Sequence, residues 1–166
     1  WMALPDHEEE REPAFQHYPA ADLPDIDVNG VNVRVIIGEA YGHTSPVHAY
    51  SSTLYLECLM PEGAELTLPV QYQELGAYIV SGSVAIDDQA FGEGVMAVAR
   101  EGAAMTLAAR ENSRVMVVGG EPLGERHIYW NFVSSSRERI EQAKSDWREG
   151  KFDMVPDEHE FIPLPD

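Results

Sequence analysis

The chain has 166 residues, 44% of them apolar, with 11 Lys plus Arg against 29 Asp plus Glu and a formal charge of −18. That is one domain, or one with appendages, and it holds too much apolar surface for wholesale disorder. The charge excludes non-specific binding to nucleic acid or anionic membrane. No apolar run approaches the ~20 residues of a bilayer span, no signal-peptide pattern opens the chain, and one cysteine, Cys58, permits neither an internal disulfide nor a thiolate zinc cluster. A reducing cytoplasm is the predicted compartment.

The chain opens on Trp1 with Met2 behind it, which predicts a piece cut from a longer polypeptide. Residues 1–25 read as a connector. Pro5, Pro13, Pro19 and Pro24 forbid continuous helix, and Glu8-Glu9-Glu10 favours solvent. Yet Trp1, Met2, Leu4, Phe15 and Tyr18 want a packing surface.

From residue 31 the pattern becomes β. Val31, Val33, Val35 and Ile37 alternate with their neighbours, and Leu54, Leu56 and Leu59 form a second run. Glu65 to Leu68 ends at Pro69. Ala77 to Val80 and Val84 to Ile86 flank Ser81-Gly82-Ser83, a hairpin signal. Val95 to Val98, Met105 to Leu107 and Val115 to Val118 follow, and His127 to Val133 reads as one last strand. Short strands at even spacing predict an antiparallel barrel or sandwich.

One helix is signalled. Ser135-x-x-Glu138 reads as a capping box, and Ile140, Ala143 and Trp147 recur at helical spacing. Lys144 and Arg148 suit the negative end of the helix dipole, and Gly150 suits its stop. Phe152, Val155, Phe161, Ile162 and Leu164 stud an extended, acidic, Pro-containing tail. No internal repeat is visible.

The strand series resembles a cupin, a small antiparallel barrel marked by two Gly-anchored motifs. Three His and one Glu in those motifs hold a divalent metal, usually iron. Such donors with open positions suit Fe(II) and its oxygen chemistry. Laid onto Gly63 and Gly82, the first motif puts its His positions on Pro69 and Gln71 and its Glu position on Leu75. Laid from Gly94 to Gly102, the second puts its His on Met105. The resemblance therefore predicts a barrel with no metal, no cofactor and no catalytic residue of its own.

The downstream sequence is more specific. Gly119-Gly120-Glu121-Pro122-Leu123-Gly124-Glu125, Trp130-Asn131-Phe132-Val133-Ser134-Ser135-Ser136 and Ile140-Glu141-Gln142-Ala143-Lys144 closely resemble the C-terminal half of pirin-family proteins. So do Phe15-Gln16-His17-Tyr18, Ser45-Pro46-Val47 and Glu160-Phe161-Ile162-Pro163-Leu164-Pro165. Pirins are bicupins whose N-terminal barrel carries the iron. Some resemble flavonol dioxygenases (quercetinases), and others act as regulators through protein partners.

The resemblance implies four parts: residues 1–25, the end of a missing N-terminal cupin and a linker; 26–133, a metal-free C-terminal cupin barrel; 134–150, the helix; and 151–166, an extended tail. It implies a structural, pocket-completing role beside an Fe(II)-bearing N-terminal half, in a protein whose reaction class is flavonol dioxygenation. Two other readings stand: a module binding a regulatory protein or a second copy, and a small-molecule binder whose interior is lined by Tyr55, Tyr78, Met96, Met105 and Met116.

Other chemistry-bearing residues have plainer readings. Glu39, His43 and His48 form the one plausible ligand cluster, on what reads as a surface loop. His127 opens a strand. Cys58 between Leu56 and Leu59 reads as a small buried hydrophobe rather than a nucleophile. Gly119-Gly120 lacks the Lys and the spacing of a phosphate loop.

Overall fold

The computed structural model describes every residue except 101, 154, 155, 158 and 166, so the expected tail contact of Val155 lies outside the described residues. The chain divides into two compact units. One comprises Pro13–Pro122; the other joins Trp1–Glu12 to Leu123–Asp166.

In the first unit the strands are β1 (Asp25–Val28), β2 (Val31–Ile37), β3 (Glu39–Ala40), β4 (His43–Thr44), β5 (Thr53–Met60) and β6 (Glu65–Thr67). Then come β7 (Glu74–Ser81), β8 (Ser83–Ile86), β9 (Gln89–Gly92), β10 (Met96–Val98), β11 (Thr106–Ala109) and β12 (Ser113–Gly120). They build a six-stranded sheet ordered β1-β2-β5-β12-β7-β10 and a four-stranded sheet ordered β6-β11-β8-β9, with β3 and β4 as a separate ribbon. Every pairing is antiparallel. The fold is cupin-like, but the two sheets do not close into the barrel that the sequence suggests.

Period-2 alternation decides which side chains meet between the sheets. Leu54, Leu56, Cys58 and Met60 of β5 point inward, as do Val31, Val33 and Val35 of β2 and Val115 and Val117 of β12. Leu66, Val84, Leu107 and Ala109 join them from the smaller sheet in one buried cluster. Fully burying a Val or Leu is worth ~1.5–3 kcal/mol, so this cluster is the main source of stability.

The chain passes from the larger sheet to the smaller at Gly82, between β7 and β8. There φ is +83°, and an added Cβ would lie 2.4 Å from Ser113 Oγ and 2.6 Å from the Asn112 carbonyl. The other three framework glycines, Gly63, Gly94 and Gly102, also have positive φ, so the cupin spacing is carried by turn positions.

The second unit holds β13 (His127–Tyr129), β14 (Phe132–Ser134) and α1 (Arg137–Arg148). The single strand expected over 127–133 is instead a hairpin, turning at Trp130 with φ +54°. The helix N-cap is Ser136, one residue later than the expected box; its hydroxyl accepts from Arg139 N and donates to Glu138. Gly150, at φ +66°, ends it as expected: its N–H donates to Trp147 O, and Lys151 N donates to Asp146 O, the bonding of a Schellman stop.

The N-terminal segment is less featureless than a connector. It makes short 3-10 turns at Asp6–Glu8 and Ala20–Asp22. Among the described residues no helix is long and apolar enough to cross a membrane.

Candidate functional site

Pro69, Gln71, Leu75 and Met105 stand at the ligand positions that the cupin resemblance implies. Pro69 is buried, and Leu75 and Met105 both lie within the core cluster. Gln71 is exposed, and its amide donates to the Glu39 carbonyl at 3.1 Å. Beside them the Tyr72 hydroxyl is closed off by its own bonds, accepting from Glu39 N and donating to Glu39 O, both at 3.0 Å. The Tyr41 hydroxyl donates to Thr67 O at 2.9 Å, and burial pushes its phenol well above the usual range. Cys58 is buried in the same core. Its thiol is pushed up to about 12, chiefly by burial and then by the neighbouring charge of Glu57, so it stays a neutral hydrophobe.

These residues do not fit the iron of a cupin. Pro69 and Leu75 offer no donor atom, the Met105 thioether is soft, and the one thiol holds its proton. Among the described residues no group of three or more His, Cys, Asp or Glu is placed to hold a metal ion. Glu39, His43 and His48 are not brought together: Glu39 pairs with Thr44 across the β3–β4 ribbon, His43 Nδ1 lies 3.0 Å from Tyr41 O, and His48 packs edge-on to Tyr50.

The residues offered for a ligand-lined interior are placed differently. Tyr55, Tyr78, Met96 and Met116 do not face the interior; only Met105 does. The inward set on β7 is Leu75, Ala77 and Ile79, which puts Tyr78 on the opposite face. Register aligns Met96, Tyr78 and Met116 in one row, and Val98, Gly76 and Val118 in the next. The result is an apolar patch on the outside of the six-stranded sheet, with Met96 50% and Val98 72% exposed. Further along the same sheet face the surface is charged. Arg34 bridges Asp25 at 2.8 Å and Glu57 at 3.1 Å, and Arg114 joins Glu57 from the other side.

In the second unit the sequence gives no hint of a buried ionic clasp. The Glu9 carboxylate accepts from Ser135 N at 2.8 Å, Ser134 Oγ at 2.9 Å and Ser135 Oγ at 3.1 Å. Arg126 reaches Asp6 at 2.7 Å and donates to the carbonyls of Leu4, Leu123 and Glu125. Its Nε lies 3.3 Å from Glu9 as an ion pair without a hydrogen bond. Both side chains are nearly closed to solvent, so the charges are paired where burial alone would be costly.

An antiparallel two-sheet core with turn glycines at the cupin spacing and a C-terminal helix defines a cupin-class domain. Residues 55–153 match the Pirin C-terminal cupin domain, and the chain belongs to the pirin family. It is 45% identical to a pirin-like protein of Caulobacter vibrioides over all of this chain and 58% of that one. It is 33% identical to human pirin over 91% of this chain and 55% of the relative. A crystal structure of quercetin 2,3-dioxygenase from Acinetobacter baumannii superposes with a TM-score of 0.89 at 26% identity, over 99% of this chain and 56% of that one. The chain thus spans little more than half the length of the relatives it matches.

Proposed function

We propose that this domain is the metal-free, structural half of a two-barrel protein. In that reading it completes a pocket whose Fe(II) chemistry belongs to a companion N-terminal cupin. The observation that carries the reading is the loss of ligand chemistry at these positions: Leu75 and Met105 lie inside the core, Pro69 is buried, and the exposed Gln71 spends its amide on the Glu39 carbonyl. The likeness to a structure named quercetin 2,3-dioxygenase supports flavonol dioxygenation as the companion's reaction class.

The outer patch of Tyr78, Met96, Val98, Met116 and Val118 supports a packing role, because a contiguous apolar patch at a sheet surface marks a partner site. The domain would shield the companion's pocket from water. The test mixes this chain with the N-terminal barrel of the Caulobacter relative and follows association by sedimentation. Association is expected, and it is lost in Tyr78→Lys/Met96→Lys. No association, or association indifferent to both lysines, sinks the reading. The chain alone, supplied with Fe(II) and quercetin, is expected to show no turnover.

A further inference from the structure

Residues 161–165 lie along the aromatic face of α1. Trp147 Nε1 donates to the Ile162 carbonyl at 2.8 Å, and the Tyr129 hydroxyl donates to the Pro165 carbonyl at 2.6 Å. The Trp147 indole stacks on Phe161 with centroids 5.8 Å apart and planes 26° from parallel. Trp130, Phe132 and Phe152 pack around the same indole and fix its orientation. A groove of about 590 Å³ runs between the helix and this segment, with Tyr129, Lys144 and Arg148 on one side and residues 161–165 on the other.

Residues 161–165 belong to no helix or strand. Two of their carbonyls are read instead by aromatic donors, and Phe161 by an aromatic face. Proline has no N–H to satisfy, so a groove that offers donors and aromatic faces suits a proline-containing strand. That is the chemistry by which extended proline peptides are recognised. Charge narrows the choice. Arg148 edges the groove in a chain of net charge −18, beside Lys144, which stands over the Tyr129 ring and pairs with Glu141 at 2.8 Å. The segment is preceded by Asp157 and Glu160.

We infer that this face of α1 and β13 is a recognition groove for an extended peptide of another protein, of the pattern aromatic-x-Pro-x-Pro with carboxylates before it. Residues 161–165 lie over this face in cis as a strap and form the outer wall of the groove. The tail is then this face's own competitor rather than a hook for a partner. A tethered strap acts at an effective concentration in the ~mM range, so an external peptide binds the whole chain weakly until the strap is loosened. The inference involves only the second unit and stands apart from the companion-barrel reading.

The test uses the full chain and a synthetic peptide with the sequence of residues 160–165. Phe161→Ala/Pro163→Gly/Pro165→Gly removes the stack and frees the strap's backbone. Calorimetry and the Trp147 indole N–H resonance report binding. One-to-one binding to this variant is expected at least ~tenfold tighter than to the parent chain, because the competing state is removed. A peptide with both prolines changed to Ala is expected to bind at least ~tenfold more weakly than the parent peptide, since proline holds the chain extended before it binds and so lowers the ordering cost. No binding to a variant with native circular dichroism overturns the inference, as does equal binding by the proline-free peptide. If the triple variant does not fold, Pro163→Gly alone carries the same comparison.

Discussion

Replacing Glu9 by Ala tests the clasp of the second unit. The substitution removes three hydrogen bonds to a carboxylate that is 13% exposed and strands the Ser135 N–H. Breaking a buried pair costs ~3–5 kcal/mol when the surviving charge is left alone. Arg126 is not left alone, because Asp6 and three carbonyls remain. Ser134 Oγ also keeps its bond from Ser136 N. The expected loss is therefore the lower end of that range, ~3 kcal/mol. Asp6→Ala, at a side chain 73% exposed, is expected to cost under ~1 kcal/mol although its own distance to Arg126 is shorter. Trp1, Trp130 and Trp147 all lie in this unit, so tryptophan fluorescence in a urea titration reports it. A lowered midpoint at unchanged slope is the signature of lost stability. A Glu9→Ala effect under ~0.5 kcal/mol would refute the reasoning, since that is the scale of an ordinary surface change.

Cys58 is expected to resist alkylation at pH 8 until the protein unfolds, which mass spectrometry of a denaturant series checks. Its thiol, ordinarily near 9, is raised to about 12 in the fold. The neutral form is thus favoured when folded. Its contribution to stability is full below pH 9 and declines as pH rises toward 12, which alkaline melts will show. Gly82→Ala is expected to cost at least ~2 kcal/mol, from the left-handed backbone together with the clash against Ser113, as read by thermal denaturation. Asp25→Asn loosens a half-exposed pair to Arg34 and should cost no more than ~1 kcal/mol. The Asp25 carboxyl is held below its usual range first by the Arg34 hydrogen bond, then by Asn32. That small contribution is present above pH 4 and fades as acid protonates it. Leu56→Ala in the fully closed core is expected to cost ~2–5 kcal/mol in the same melts.

The long strands were legible because their alternation is strong: β2, β5 and β12 lie where Val31, Leu54 and Val115 begin their runs. β9 was not, because its hairpin turns through Asp87 and Asp88 with φ of +48° and +64° and no glycine marks it. The β13–β14 turn at Trp130 hides for the same reason inside a continuous aromatic run. Tyr78 and Met96 read as possible lining because a metal-free barrel still has an interior, to be filled by side chains or to hold a ligand. Only the phase of β7, set by Leu75, Ala77 and Ile79, shows that they face outward. The Glu9 clasp joins residues 125 and 126 positions apart, which no local pattern carries. The strap likewise depends on which apolar groups the chain end meets, and periodicity says nothing about that.

In the proposed reading this cupin domain binds no metal of its own. The direct measurement is the iron content of the chain after anaerobic loading with Fe(II) and gel filtration, read by elemental analysis. Substoichiometric iron, with thermal stability unchanged by the metal, is the predicted result. One tightly held iron per chain, raising the melting temperature as a ligand of the folded state must, would contradict it.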